Sequence, residues 1–148
     1  MTPPADGMNL DGVTRLIDFA KQSALTTTGF GHLDNRGDVD SSLPPSLMIT
    51  ARMTFSFSIA AELGFDDCAS LAARGIGSLA HDFFDPTHGG FVSVPASHPG
   101  DGTKSAYDTT FVLLAASTAH AIGVRGADRV LDRALDALFT HFWREDLG

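Results

Sequence analysis

Two stretches of this chain, residues 46–63 and 105–122, are apolar on nearly every face when wound at helical pitch. A helix of that kind must be surrounded, either by lipid or by other protein elements. The longest uninterrupted apolar run, Phe111 to Ala116, falls far short of the ~20 residues that cross a bilayer. Both stretches are therefore expected to be inner helices of a protein core. Three further segments, residues 9–25, 66–84 and 127–143, carry a single apolar stripe with polar residues opposite. In the first, Leu10, Val13, Ile17 and Ala20 share a face, and in the last Val130, Leu131, Ala134, Leu135, Leu138, Phe139 and Phe142 do. One-sided stripes predict outer helices, so the alternation reads outer, inner, outer, inner, outer. At 148 residues the chain has room for one core, and no composition shift marks an internal domain boundary.

The two inner segments end alike. Leu63-Gly64-Phe65 corresponds to Ile122-Gly123-Val124 at an offset of 59 residues, and each glycine stands where a left-handed residue closes a helix. At the same offset Ser46 meets Ser105, Met48 meets Tyr107, Phe83-Phe84 meets Phe142-Trp143, and Gly89 meets Gly148. Asp66 or Asp67 is expected to cap the third segment. The repeating unit is an outer helix, a loop and an inner helix. Its length exceeds the ~35–45 residues of most helical solenoid repeats, which favours a closed toroid with a concave site ringed by the inner helices. The predicted fold is all-α: an incomplete toroid of about two and a half helical-hairpin repeats. The chain ends where a third loop is expected, so it reads as truncated relative to this architecture, with an apolar edge left open.

Two long polar connections, residues 29–45 and 89–104, join the helices on one side. Each has a short strand-like piece before a Gly/Asp turn, the pattern of a small hairpin. Connections this long in a compact chain are commonly functional.

Charge and composition exclude several classes of function. There are 10 Lys and Arg against 18 Asp and Glu, a net charge of −8, and no basic run to replace the counterions of a nucleic acid or to seek an anionic membrane. The lone cysteine, Cys68, rules out an intrachain disulfide and a multi-cysteine zinc site. The opening Met-Thr-Pro-Pro-Ala-Asp-Gly has neither the basic nor the apolar region of a secretory signal. These features predict a cytoplasmic, soluble chain. No P-loop, GxGxxG or GxSxG sequence supports nucleotide binding or serine hydrolysis.

Among residues able to carry chemistry, Arg52 stands out because it interrupts the apolar run Leu47-Met48-Ile49-Thr50-Ala51-Arg52-Met53. A buried arginine needs an anionic partner or a pocket. It either holds polarised or anionic substrate oxygens in the toroid cavity or pairs with a carboxylate such as Asp108. Tyr107 and Asp108, near the start of the second inner helix, should lie where the cavity opens. The tyrosine suits a hydrogen bond to a substrate hydroxyl or a place in the core. The carboxylate suits acid–base work, orientation of Arg52 or a capping role in the first turn. Lys104 reads as a loop residue of structural purpose. None of the six histidines pairs at metal-ligand spacing and no HExxH is present, so no metal is expected. His32, in the first long loop, is the one placed to line a pocket. Phe30, Phe84, Phe91 and Trp143 are expected to pack helix–loop corners.

Four motifs together, Leu-Met-Ile-Thr-Ala-Arg-Met-Thr at 47–54, Lys-Ser-Ala-Tyr-Asp-Thr-Thr-Phe-Val-Leu-Leu-Ala-Ala at 104–116, Asp-Pro-Thr-His-Gly-Gly-Phe at 85–91 and Gly-Phe-Gly-His-Leu-Asp at 29–34, resemble the N-acylglucosamine 2-epimerase family. The opening Gly-Phe-Gly-x-Leu-Asp is most similar to its mannose and sulfoquinovose aldose–ketose isomerase branch. The resemblance implies a twelve-helix (α/α)6 barrel of which this chain is the N-terminal portion. It implies a sugar substrate, proton transfer at C2 through an enediol, and histidines as acid and base with no metal or nucleotide cofactor. Arg52 matches the family arginine near the reacting oxygens, and Tyr107 the pocket tyrosine of the Lys-x-x-Tyr run. Met48 and His32 line the same pocket by this resemblance, at positions where many relatives carry aromatic residues, and Thr109 stands where many carry histidine. The family's catalytic histidines fall on later helices, so the chain alone is expected to be inactive or nearly so.

Two other readings stay open on sequence. The chain is a non-catalytic remnant or interaction module, a homo-oligomer that covers its open barrel edge. Or it belongs to an (α/α)6 glycoside hydrolase or lyase, which needs a carboxylate pair across the scissile bond; only Asp108 is an inner-helix candidate for that.

Overall fold

The computed structural model describes residues 10–147. The opening residues and Gly148, to which the sequence reading assigned the start of the first helix and the last repeat match, lie outside the described residues.

Five α-helices form, with the expected apolar periodicities: α1 (Leu10–Lys21), α2 (Leu47–Glu62), α3 (Cys68–His81), α4 (Ala106–Ala121) and α5 (Ala127–Ala137). The first continues into a 3-10 turn, Gln22–Ala24, and the fifth into a wider π turn, Leu138–Phe142. Among the described residues no strand forms. Each long loop instead carries one isolated antiparallel bridge, Leu33 with Val39 and Phe84 with Phe91. The second bridge differs from the hairpin expected within 89–104, because Phe91 pairs backward with the residues after α3. Ser93, two residues on, donates its N–H to the Thr103 carbonyl at 2.9 Å.

The repeat read from sequence is repeated in backbone geometry. Ser46 (φ −117°, ψ 132°) and Ser105 (φ −120°, ψ 131°) are the N-caps of α2 and α4, and their hydroxyls accept from the Ile49 and Asp108 amides. Gly64 and Gly123 close the two helices with φ of 87° and 79°. Asp67 and Gly126 precede α3 and α5 in the left-handed region, at φ 63° and 82°. The expected cap on α3 is corrected here: Asp67 occupies the N-cap position, but its side chain makes no capping hydrogen bond. The turn demands a left-handed residue, and that backbone carries the carboxylate away from the free amides.

α2 and α4 lie at the centre, α2 packing on α3 and α4, and α4 on α2 and α5. One core cluster joins Leu47 and Ala51 of α2, Ile76 and Leu79 of α3, Val112, Ala115, Ala116 and Ala119 of α4, and Val130 and Ala134 of α5, with Phe83 and Phe91. A second gathers Phe30, Phe57, Ala60, Cys68 and Ala72. The Phe30 and Phe57 rings meet at 5.3 Å between centroids, a contact worth roughly 0.5–1.5 kcal/mol beyond the area it buries. The loop that carries Phe30 is fixed by side chains of α2 and α3. Ser78 Oγ accepts from the Gly29 amide, Thr50 Oγ1 accepts from the Phe30 amide, and Arg74 donates to the Thr26 and Gly29 carbonyls. Exposed apolar side chains also occur on the outer helix α1, none of whose residues is fully buried; Leu16 is 70% exposed and Phe19 42%. Trp143, expected to fill a corner, is 56% exposed and meets Phe139 at 6.2 Å. Phe30 and Phe91 are fully buried as expected.

Candidate functional site

The two inner helices are not enclosed all round. Each exposes one strip: Arg52 and Ser56 on α2, Tyr107, Thr110, Leu114 and Ser117 on α4. The steps of three and four place each set on one helix face. Between the strips lies Phe111, half-buried. The Arg52 guanidinium sits 5.4 Å from the centre of its ring, and the Tyr107 ring meets it edge-on at 5.0 Å. Arg52, Phe111 and Tyr107 thus form one continuous row across the α2–α4 seam.

This corrects the expectation of a buried Arg52. The side chain is exposed, and among the described residues it forms no ion pair, with Asp108 or any other carboxylate. Asp108 is engaged elsewhere. It stands in the first turn of α4, its amide capped by Ser105 and its carboxylate accepting from Ser93 Oγ at 3.1 Å. Its carboxylate thus neither pairs with Arg52 nor caps the helix, a role that Ser105 fills, and the guanidinium keeps a π face as its partner. Such a contact orients the side chain without consuming its N–H donors, which stay available for oxygen ligands. Tyr107, at 61% exposed, is a surface residue of the row and not a core tyrosine.

Met48, one turn before Arg52 on the same helix face, is half-buried. His32 is not brought into this row. It lines a separate cleft against α1, with Leu16, Phe19, Ile49 and Met53. Among the described residues no cluster of histidine, cysteine and carboxylate side chains is able to hold a metal ion. Cys68 is fully buried, and burial pushes its thiol pKa up, against thiolate chemistry.

Lys104 performs the structural role expected of it. Its ammonium donates to Asp85 Oδ2 at 2.8 Å and to the Gly89 carbonyl at 2.6 Å, tying the loop after α3 to the residue that leads into α4. Asp85 also accepts from the amides of Thr87 and His88. The Lys104 bond, then these amides, hold its carboxyl far below the usual carboxylate range. Sequence reasoning missed Phe111 as the platform of the row; its spacing of four from Tyr107 was the available signal. It also missed Ser93 as the partner of Asp108, for which the sequence carries no local signal.

A chain of stacked helical hairpins, exposing a polar and aromatic row on its inner helices and joined by long loops at one end, has the architecture of the (α/α)6 sugar epimerases and isomerases. A sequence profile of the N-acylglucosamine 2-epimerase (GlcNAc 2-epimerase) family matches residues 29–148, and the chain belongs to that family. It is 37% identical over 134 residues to a D-mannose isomerase of Pseudomonas cannabina pv. alisalensis, covering 90% of this chain and 32% of that protein. It is 35% identical over 136 residues to a D-mannose isomerase of Thermobifida fusca, covering 90% of this chain and 33% of that protein. The chain thus spans about a third of the length of these curated relatives. Its fold is similar to a crystal structure of D-mannose isomerase at a TM-score of 0.82 and 24% identity, over 99% of this chain and 39% of that one. A sugar epimerase from a ruminal bacterium superposes at a TM-score of 0.75 and 20% identity, over 88% of this chain and 35% of that one. Among the described residues no helix is long and apolar enough to cross a membrane.

Proposed function

We propose that this chain is the N-terminal part of an aldose–ketose isomerase or 2-epimerase barrel and forms the substrate-positioning wall of its cavity. The observation that carries this reading is the exposed row of Arg52, Phe111 and Tyr107 on the two inner helices. In the reaction, the proton on C2 of an open-chain aldose, α to its carbonyl, is removed to give an enediol. Return of the proton to C1 gives the ketose, and return to the opposite face of C2 gives the epimer. Negative charge grows on O1, the carbonyl oxygen, as the proton leaves C2, and on O2 once the hydroxyl proton there passes to O1 ahead of protonation at C1. A guanidinium already oriented by an aromatic face is suited to stabilise it without reorganising. Tyr107 supplies a hydroxyl to a sugar hydroxyl, with Met48 on the apolar wall. Asp108 acts on the substrate only indirectly, by fixing the first turn of α4, and His32 belongs to the α1 side. The acid and base come from histidines beyond this chain, and neither metal nor nucleotide takes part. The working place of such an enzyme is the cytoplasm, and residues 1–148 form one part of a single barrel domain.

Saturation-transfer NMR of the 148-residue chain with D-mannose tests this reading. Transfer to the sugar is expected, with loss in Arg52→Ala and weakening in Tyr107→Phe at unchanged circular dichroism. Unchanged transfer in Arg52→Ala overturns the role given to the arginine. Rapid exchange of the mannose C2 hydrogen into D2O by this chain alone overturns the placement of acid and base outside it.

The exposed Leu16 and Phe19 of α1 favour a second reading, in which the chain serves as a non-catalytic module that self-associates through its open edge. A monodisperse monomer in sedimentation at tens of micromolar contradicts that reading.

A further inference from the structure

On the side of the molecule where α3 and α5 meet, away from the Arg52 row, there is a cavity of about 210 Å³. Its lining includes Gly77 and His81 of α3, Arg125 of the turn before α5, and Arg129 and Arg133 of α5. Arg129 and Arg133, four residues apart, share one face of α5, and Arg125, in the turn before the helix, joins them at the cavity. In a chain of net charge −8 that holds only 10 Lys and Arg in total, this is a pronounced concentration of positive charge. It is also unneutralised. Among the described residues the side chains of Arg125 and Arg129 form no hydrogen bond or ion pair. Arg133 has no carboxylate partner; it lies 4.1 Å over the Phe84 ring and donates to the Ala80 carbonyl at 3.2 Å. The neighbouring carboxylates Asp82, Asp128 and Asp132 pair with none of the three. Arg133 is thus held in place by contacts that leave its charge unspent.

Two further features point the same way. Gly126, the N-cap of α5, offers no side-chain oxygen to the free amides of the first turn, so no cap bond closes that end of the helix, although Asp128 stands in its first turn. Gly77 lies in the interior of α3, where glycine weakens a helix by about 1 kcal/mol against alanine. A Cβ placed there would meet nothing within 4 Å. No close packing and no left-handed backbone requires a glycine at this position. Gly77 lines the cavity, and the space a side chain would occupy there is open.

We propose that the α3–α5 cavity is a binding site for a phosphoryl dianion, either free phosphate or the phosphate head of a small phosphomonoester, held by Arg125, Arg129 and Arg133. Guanidinium forks match tetrahedral oxyanions in geometry as well as charge. The cavity is smaller than the ~300–1,000 Å³ that buries a drug-sized ligand, so it takes the head group and leaves any organic part outside. The site does not depend on the sugar reaction proposed above.

Isothermal titration of the chain with inorganic phosphate, at constant ionic strength and with chloride as the competing anion, tests this. Saturable binding at one site is expected. Arg129→Gln should weaken it at least tenfold. Gly77→Met, which fills the cavity without removing charge, should do the same while leaving the helical circular dichroism intact. Arg36→Gln, in the exposed loop before α2, should leave it within twofold. Glucose 6-phosphate binding more tightly than phosphate identifies a phosphomonoester as the preferred ligand, and equal affinity identifies the free ion. Non-saturating binding overturns the site. So does an Arg36→Gln effect equal to that of Arg129→Gln, which means diffuse charge, or a Gly77→Met chain that binds phosphate unchanged.

Discussion

Gly75 and Gly77 lie two residues apart in α3, yet alanine should have opposite effects at the two positions. At Gly75 a Cβ would stand 1.9 Å from Thr54 Oγ1, 2.9 Å from Thr54 Cβ and 3.0 Å from Phe30 Cε2. Rotating the Thr54 hydroxyl away does not relieve the second and third contacts, so α3 must move off α2. The rotation would also break the bond that Thr54 Oγ1 donates to the Thr50 carbonyl at 2.7 Å, in a fully buried site. Overpacking of this kind costs about 1–3 kcal/mol, and a buried hydroxyl without a partner about 1–3 kcal/mol more. The gain in helix propensity is about 1 kcal/mol. The balance for Gly75→Ala is a loss of about 1–5 kcal/mol. At Gly77 the propensity gain stands alone, because the new methyl meets nothing within 4 Å. Gly77→Ala should therefore stabilise by about 0.5–1 kcal/mol. Urea unfolding followed by circular dichroism at 222 nm measures both; the midpoints should shift in opposite directions at an unchanged slope. If Gly75→Ala is as stable as the wild type or more so, the close approach of α3 to α2 at Thr54 is wrong. The packing that sets the Arg52 face of α2 would then need to be redrawn.

Three other perturbations have defined outcomes. Asp67→Gly relieves a left-handed residue at φ 63°, where the matching position of the next repeat is already glycine; it should raise stability by about 0.5–1 kcal/mol in the same urea assay. Ser105→Ala removes the N-cap of α4 and should cost about 1 kcal/mol, with a smaller loss for Ser46→Ala, whose bond is longer at 3.4 Å against 3.2 Å, and near-additivity in the double variant. Asp85 is the pH-sensitive group: its folded pKa lies below the unfolded value, so its contribution is complete above about pH 4 and is lost as pH falls toward the folded pKa. Lys104→Met should lower stability at neutral pH and flatten its decline between pH 4 and 2, measured as urea midpoints across that range; an unchanged acid slope would separate Lys104 from Asp85.

Much of the architecture is legible in the chain because it depends on local rules. Apolar periodicity marks the five helices. The Ser46/Ser105 and Gly64/Gly123 pairs mark their ends, since caps and left-handed closures are satisfied within a few residues. The repeat follows from the same signals, and it carries the expectation of inner and outer helices. What needed the tertiary structure is where each side chain of an apolar helix goes. Composition alone does not distinguish the face of α2 that meets α3 at Thr54 and Gly75 from the face that carries Arg52 into the open, because both lie within one run of small and apolar residues. The same holds for His32, whose loop is fixed by Thr50, Ser78 and Arg74 from helices 20 to 49 residues away and is thereby turned to the α1 side. Asp108 found Ser93 and not Arg52 because loop closure sets that pairing, and nothing local in the sequence encodes it. The period of four in Arg125, Arg129 and Arg133 is visible in the sequence, where it suggests one solvated helix face. In the structure Arg125 stands in the turn before α5, and only the packing of α5 beside α3 gathers the three with Gly77 and His81 around a cavity.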